Sequence, residues 1–569
     1  PIELRLDIFP RQIKNQHDVW LVTAVLRNKS SINGPIDHRE QVLYQTYFEV
    51  LVENGLLEKY PESPRPFSQL DSDEQSLALL YRESATWAIG HGCAAGWDAE
   101  PNQAPDKIYT DVMPAVQIPS ITPNIKKNGC DEQIQLSMRL LATLPDDLEG
   151  PAWQSLTSLA DEYARWIQQN RDDANLLTPE LRAVAIRHLD VCNACLCRIN
   201  AGITALRNDQ HIRTAFKLAN LSMLLQQITT KQLSKRPLRW DQSSNLVVPD
   251  GDYKTPWDVY QQGKENSDLG FWRAFQMAFL LMSIEGVSNG HAPDRDIVDL
   301  IWFPTGGGKT EAYLAVMAFY MFHQRLLMKD SDNTPERDGT NVLMRYTLRM
   351  LTTQQFQRAA SLICAMEFLR RNPTQHGMGE ILGKRFSLGL WIGSAASPND
   401  VEQAKKDVSK FRQGHIQGNP LILTECPWCR AEIGRYKANT PPRGVRQNQW
   451  NLLRTRGISD VNVEGPLLHC TDGRCAFGLE NWENWIPVEV IDERIYKHPP
   501  SLVIATADKL AMIAYRPDSG AIFGRNTVNN EKRQTHVPPG LIIQDELHLI
   551  SGPLGTMYAL YEGIFERLC

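Results

Sequence analysis

The stretch Phe303-Pro304-Thr305-Gly306-Gly307-Gly308-Lys309-Thr310 combines the residue types that hold a phosphate. Three glycines let the backbone wrap an anion with no Cβ in the way, and a helix opening behind them adds its positive dipole end. In that setting Thr305 to Thr310 form the cradle, with Lys309 reaching the β- and γ-phosphates of a nucleotide and the Thr310 hydroxyl ligating Mg2+. A strict phosphate-loop pattern has Gly where Phe303 stands, and the bland alternative is a glycine-rich turn carrying a surface lysine. Context favours the phosphate. The apolar run DIVDLIWF reads as a strand before the turn, and TEAYLAVMAFYMFHQRLL reads as an amphipathic helix after it.

A second chemical pair stands far downstream in LIIQDELHLISGP. Asp545 and Glu546 end an apolar strand, so both emerge at the carboxyl edge of a sheet, where open α/β folds bind nucleotides. Asp545 would hold Mg2+ through water, Glu546 would orient and deprotonate the attacking water, and His548 could sense the γ-phosphate. Alone, such a pair is usually a solvated strand end; beside GGGKT it reads as the other half of an ATP site.

Cys426-Pro-Trp-Cys429 and Cys470-x4-Cys475 form two cysteine pairs about 40 residues apart, which suits one tetrahedral Zn2+ held by two knuckles. The second spacing is looser than the first, and His469 could compete as a ligand. Reduced structural cysteines are the alternative. A closed four-thiolate site would fold this segment rather than perform chemistry. Cys192, Cys195 and Cys197 lie in a helical apolar context and read as buried core thiols. His91 and Cys93 read as part of a glycine-rich turn, and Trp482 and Trp485 as packing.

These residues need elements to position them. At 569 residues the chain exceeds one hydrophobic core, and 42% hydrophobic with 22% charged residues is ordinary for a globular protein. No apolar run is long enough for a membrane span and the first residues lack a secretory core, so a cytoplasmic home is expected. A net charge of −6 argues against a partner held by bulk charge alone, but leaves room for a local phosphate-gripping groove. Short alternating runs make residues 1–130 read as β-rich, and three- and four-residue apolar spacing makes 131–265 read as helical. SSNLVVPDGDYKTP is turn-rich and looks like a boundary. From 266 to 569 apolar strands (NVLMRYTL, FSLGLWIG, SLVIATA, GLIIQDELHLI) alternate with helices, which implies a parallel sheet covered on both faces, with the cysteine-bearing insert at 414–498.

PTGGGKT with DELH resembles motifs I and II of superfamily 2 helicases, in the DExH branch. Tyr346-Thr347-Leu348-Arg349 with Thr352, Thr353 and Gln354 resembles motif Ia, which implies that Arg349, Thr352 and Gln354 line a nucleic-acid track. Gly393 in LWIGSA resembles the glycine that lets a phosphate approach, and Thr506-Ala507-Asp508-Lys509-Leu510 resembles motif Ib. Gln276 is a candidate adenine-reading glutamine, a buried helix glutamine being the equal alternative. Longer segments, YTLRMLTTQQFQRA, SLVIATADKLAMIAYRP and LIIQDELHLISGPLGTMYALYE, look like the DrmA family of helicase subunits from the bacterial DISARM anti-phage system. That resemblance implies a RecA-like motor lobe, ATP with Mg2+, and ATP-dependent translocation on DNA that is single-stranded or carries a single-stranded overhang. It also implies a DrmB-like partner with a DUF1998 domain.

The chain stops 21 residues after His548, and nothing in it resembles a second RecA-like lobe with its arginine finger. It is therefore expected to be an N-terminal portion of a longer polypeptide, unable to turn over ATP efficiently alone. Two rival functions stay open: an RNA helicase, because phosphate contacts do not read the sugar, and a nucleotide-switched scaffold that clamps DNA without travelling.

Overall fold

A computed structural model describes residues 3–13, 19–29, 43–53, 56–60, 65–99, 103–115, 125–126, 133–302, 307–328, 335–346, 349–393, 397–478, 481–528, 531–550 and 552–569. By their contacts they fall into two units, Pro1–Ser120 with Trp166–Asn193, and Ile121–Arg165 with Ala194–Cys569.

The first unit carries short antiparallel pairings, as alternating apolar runs split by polar turns predict. Leu4–Gln12 pairs with Trp20–Asn28, and Lys107–Asp111 pairs with both Glu49–Leu51 and Ala94–Trp97. Helix Ser72–Leu80 starts at a capping box in which Asp71 accepts from the Asp73 and Glu74 N–H groups. Its Leu79 is buried with Ala174, Val184 and Ala185.

In the second unit the helices matter first. Helix α1 (Gln210–Gln227) is buried on nearly all sides, polar Asn220 and Gln226 included. It packs against α3 (Lys309–Leu327, the helix behind the glycine turn) and α4 (Arg349–Arg371). Helix α2 (Ala274–Ser288) also packs on α3. The segment read as the end of a separate helical region therefore supplies part of the sheet's own covering layer. A continuously apolar helix must be enclosed, and its neighbours here are motor-lobe helices.

The sheet holds β1 (Val342–Tyr346), β2 (Leu388–Trp391), β3 (Val488–Glu489), β4 (Leu502–Thr506) and β5 (Leu541–Gln544). Their order is β3-β2-β4-β1-β5 and every pairing is parallel, as the strand–helix alternation predicts. Both faces are covered, and the side chains divide with period two. Val342, Met344, Tyr346, Leu502 and Ile504 join the core shared with α1, α3 and α4. Leu343, Val503 and Ala505 join a second core with Ile522, Phe523 and Phe565.

One expectation fails. DIVDLIWF forms no strand over 297–302, where Val298 is 94% and Trp302 82% exposed. An apolar run becomes a strand only where a neighbour offers a ladder, and among the described residues β5 pairs only with β1. The turn-rich stretch near 250 begins with a strand pair. Leu238–Asp241 and Leu246–Pro249 form a hairpin whose Trp240 meets Trp450 edge-on, ring centroids 5.2 Å apart. Among the described residues no helix is long and apolar enough to cross a membrane.

Candidate nucleotide site and four-cysteine centre

Gly307 and Gly308 lead directly into α3, with Gly308 as its N-cap in the left-handed region at φ 90°. A Cβ there would also meet the Gln276 Nε2 at 2.5 Å, so this turn needs glycine twice over. Two side chains from the start of α2 hold the turn: Arg273 donates to the Gly307 carbonyl at 2.6 Å and Gln276 donates to the Gly308 carbonyl at 2.8 Å. The Gln276 Oε1 accepts from the Arg273 N–H at 2.9 Å. Its amide thus ties the turn to the start of α2. Lys309 and Thr310 are the first two residues of α3, while Thr305 and Gly306 lie outside the described residues.

The acidic pair follows β5 without a gap. The Asp545 N–H donates to the Arg345 carbonyl on β1 at 3.1 Å, extending the ladder, and Glu546 turns the chain in the left-handed region at φ 50°. Glu546 has a side chain at such a backbone angle, a form of strain that clusters at functional sites. Its Oε2 lies 3.3 Å from the exposed His548 Nδ1.

One phenol joins the two segments. The Tyr313 hydroxyl, one turn into α3, donates to Asp545 Oδ2 at 2.9 Å and lies 3.3 Å from Thr310 Oγ1. The Tyr346 hydroxyl at the end of β1 is 3.3 Å away from it. Gln355 on α4 donates to Thr310 Oγ1 at 3.2 Å, and Arg358 pairs with Glu311 beside it. Burial, with the Asp545 charge nearby, pushes the Tyr313 phenol well above its ordinary range, so it serves as a proton donor to Asp545. Thr310 and Asp545 are thereby brought together at the carboxyl edge of the sheet. Their oxygen ligands are the chemistry that Mg2+ takes.

The same edge collects other expected residues. Tyr346 and Thr506 are register partners at the ends of β1 and β4, and Gly393 follows β2 by two residues. Thr506 and Gly393 are buried. Arg349, Thr352 and Gln354 fall in the first turns of α4, and their side chains lie outside what is described. Lys509 is buried against Asp492 and Asn399. Tyr313, Arg273, Gln355 and Arg358 were not singled out by the sequence, and the Tyr346 hydroxyl was given no role there. An aromatic at helical spacing reads as core, and only the coordinates show its hydroxyl aimed at a carboxylate.

The four cysteines converge. Cys426, Cys429, Cys470 and Cys475 are buried, with their sulfurs within 4.8 Å of one another. The Cys426–Cys475 and Cys429–Cys470 sulfur separations are 3.9 and 3.4 Å. Tetrahedral zinc at about 2.3 Å from each thiolate spaces them by roughly 3.8 Å, so the set fits. Each pair sits on a tight turn: Cys426 N–H donates to the Ala431 carbonyl at 2.8 Å, and Cys470 N–H to the Phe477 carbonyl at 2.7 Å. Hydrogen bonds from Cys426, Cys470 and Cys475 draw the Cys429 thiol well down, whereas burial pushes Cys470 and Cys475 well up. His469 is no ligand. Its Nδ1 is 2.9 Å from the Cys470 carbonyl and its Nε2 3.0 Å from Ser459 Oγ. Trp485 packs on its ring. The expectation of core thiols at 192–197 is corrected: on one helix, Cys192 and Cys195 are half-buried and Cys197 is exposed, because an apolar helix pattern does not say which turn faces inward.

No protein-family model matches the chain. A DISARM protein DrmA of Bacillus paralicheniformis is 32% identical over 587 residues, covering 97% of this chain. The match covers 47% of that protein, so the chain spans about half the length of the curated relative it matches. Along nearly its whole length, then, this chain is a relative of DISARM protein DrmA.

Proposed function

We propose that this chain is the nucleotide-binding lobe of an ATP-driven DNA translocase or helicase subunit in a bacterial anti-phage defence complex. The single observation that carries the reading is the Tyr313 phenol touching both Thr310 and Asp545 at the carboxyl edge of a parallel sheet. In this proposal the N–H groups at the start of α3 and the Lys309 ammonium receive the phosphates. Thr310 and Asp545 hold the metal ion, Glu546 orients and deprotonates water, and His548 senses the γ-phosphate through Glu546. Magnesium, when bound, supplies charge neutralisation between the β- and γ-phosphates. Gln276 braces the glycine turn and reaches adenine only if its bond to Gly308 is exchanged. Arg349, Thr352, Gln354, Gly393 and Thr506 are proposed to line the nucleic-acid track.

The four cysteines are proposed to hold one structural Zn2+ that folds the 414–498 insert, with residues 1–130 and the part of 131–265 before helix Gln210–Gln227 as the accessory regions. A DrmB-like subunit is the proposed partner, from the DISARM name of the relative. A second RecA-like lobe is proposed to complete the ATP site.

The test uses the full-length protein with matched DNA and RNA oligonucleotides. ATPase stimulated by DNA, abolished by Lys309→Ala and by Glu546→Gln, supports the reading. Unchanged ATPase in both variants removes the site assignment, stimulation by RNA alone moves the substrate, and DNA-stimulated hydrolysis without displacement of a triplex strand makes the protein a clamp.

A further inference from the structure

At the opposite, amino edge of the sheet, three ligand-type side chains from distant parts of the chain face one another. Glu336 and Asp338 precede β1, and His536 precedes β5. Backbone hydrogen bonds fix the two segments side by side: the Glu336 N–H donates to the Thr535 carbonyl at 2.9 Å and the Val537 N–H to the Glu336 carbonyl at 2.8 Å. His536 Nε2 lies 3.0 Å from Glu336 Oε2 and 3.5 Å from Asp338 Oδ1. His536 packs so closely over Gly339 that a Cβ there would meet the His536 Cβ at 2.8 Å and the ring at 3.1 Å.

The groups are arranged for a cation. His536 Nδ1 and the Thr535 hydroxyl are 2.9 Å apart; with Nδ1–H donating to that oxygen, the Nε2 lone pair points at the carboxylates. Asp338 is only 7% exposed, and its Oδ1 accepts no hydrogen bond, while Oδ2 takes the Lys384 N–H at 2.9 Å. A buried carboxylate oxygen without a donor is costly unless a positive charge faces it. The positive charges present are the Arg325 guanidinium, which donates to the Asp338 backbone carbonyl at 3.4 Å, and the Lys384 ammonium, 3.2 Å from His536 Nε2, 3.5 Å from Glu336 and 3.9 Å from Asp338. That contact is loose for an ion pair, and the Lys384 side chain is 64% exposed on a flexible stem.

We propose that Glu336, Asp338 and His536 form a divalent-metal site for a first-row cation such as Mn2+ or Zn2+, which displaces the Lys384 ammonium. One imidazole and two carboxylates, all within 4.8 Å of one another, are a ligand set these ions accept, with solvent completing the shell. The ion would fasten the connections entering β1 and β5 from the side away from Thr310 and Asp545. It is separate from the four-cysteine centre, whose soft thiolates disfavour Mn2+.

Manganese EPR on the full-length, nucleotide-free protein tests this. Wild type takes up one Mn2+ that Asp338→Asn and His536→Gln each remove, and that Asp545→Asn retains. Lys384→Ala tightens the binding by about tenfold, because the competing charge is gone. Thermal melting of each variant confirms that it is folded. Absence of Mn2+ uptake by both wild type and Lys384→Ala overturns the proposal. So does uptake that survives Asp338→Asn and His536→Gln together, or binding that Lys384→Ala leaves unchanged or weakens.

Discussion

Tyr313→Phe deletes one oxygen atom, the one that touches Thr310 Oγ1, Tyr346 Oη and Asp545 Oδ2. The ring stays in place, since Tyr313 is 7% exposed and packed in the main core. What disappears is chiefly the 2.9 Å donation to Asp545. A hydrogen bond to a charged group contributes about 1.5–3 kcal/mol. Asp545 keeps the Glu546 N–H at 2.9 Å on its other oxygen, and water can replace part of the rest. The net loss is therefore about 1–2 kcal/mol, a factor of roughly 5 to 30. The assay is ATPase of the full-length protein against Mg2+ at saturating ATP. A carboxylate that has lost its orienting donor should need about 5 to 30 times more Mg2+ for half-maximal rate, with the same maximal DNA stimulation. An unchanged or lower Mg2+ requirement refutes the claim that this phenol positions Asp545 for the ion.

Gly308→Ala places a Cβ 2.5 Å from Gln276 Nε2 at a φ of 90°, so ATP affinity should fall at least about tenfold; equilibrium titration with a fluorescent ATP analogue measures it. Zinc analysis should show that Cys429→Ser holds one Zn2+ fewer per chain than wild type, and the variant should expose the insert to protease, because the site is closed and buried. His323, buried on α3, has its pKa drawn by burial from 6.5 to about 4. Its neutral form is the one the fold accepts, so the unfolded chain gains a proton first as pH falls. Stability then drops between pH 6.5 and about 4, by up to roughly 3 kcal/mol. Urea midpoints at pH 7 and pH 5 check this, and His323→Gln should flatten the difference.

The placement of the candidate residues was legible where it is local. Gly308 before Lys309 signals a backbone turn at a helix start, which the structure has, and CPWC signals a cysteine knuckle because two thiolates need that spacing. The parallel sheet was legible in VLMRY and LVIAT, whose unbroken apolar runs suit strands covered on both sides. What depended on distant partners was not legible. The pattern of Gln210–Gln227 shows an apolar helix without saying that α3 and α4 enclose it. Tyr313 looks like packing until Asp545 is folded against it. DIVDLIWF has a strand's composition, but composition supplies no neighbour. Glu336 and His536 stand 200 residues apart, and no spacing rule joins them.

The proposed function requires the glycine turn and the acidic doublet to serve one metal-bound triphosphate. A double-mutant cycle in the full-length protein measures that directly: Mg2+-dependent ATP affinity in wild type, Thr310→Val, Asp545→Asn and the double variant. Shared ligation predicts strong non-additivity, a coupling of about 1 kcal/mol or more, with the second substitution costing little once the first is made. Losses that add to within about 0.3 kcal/mol contradict it.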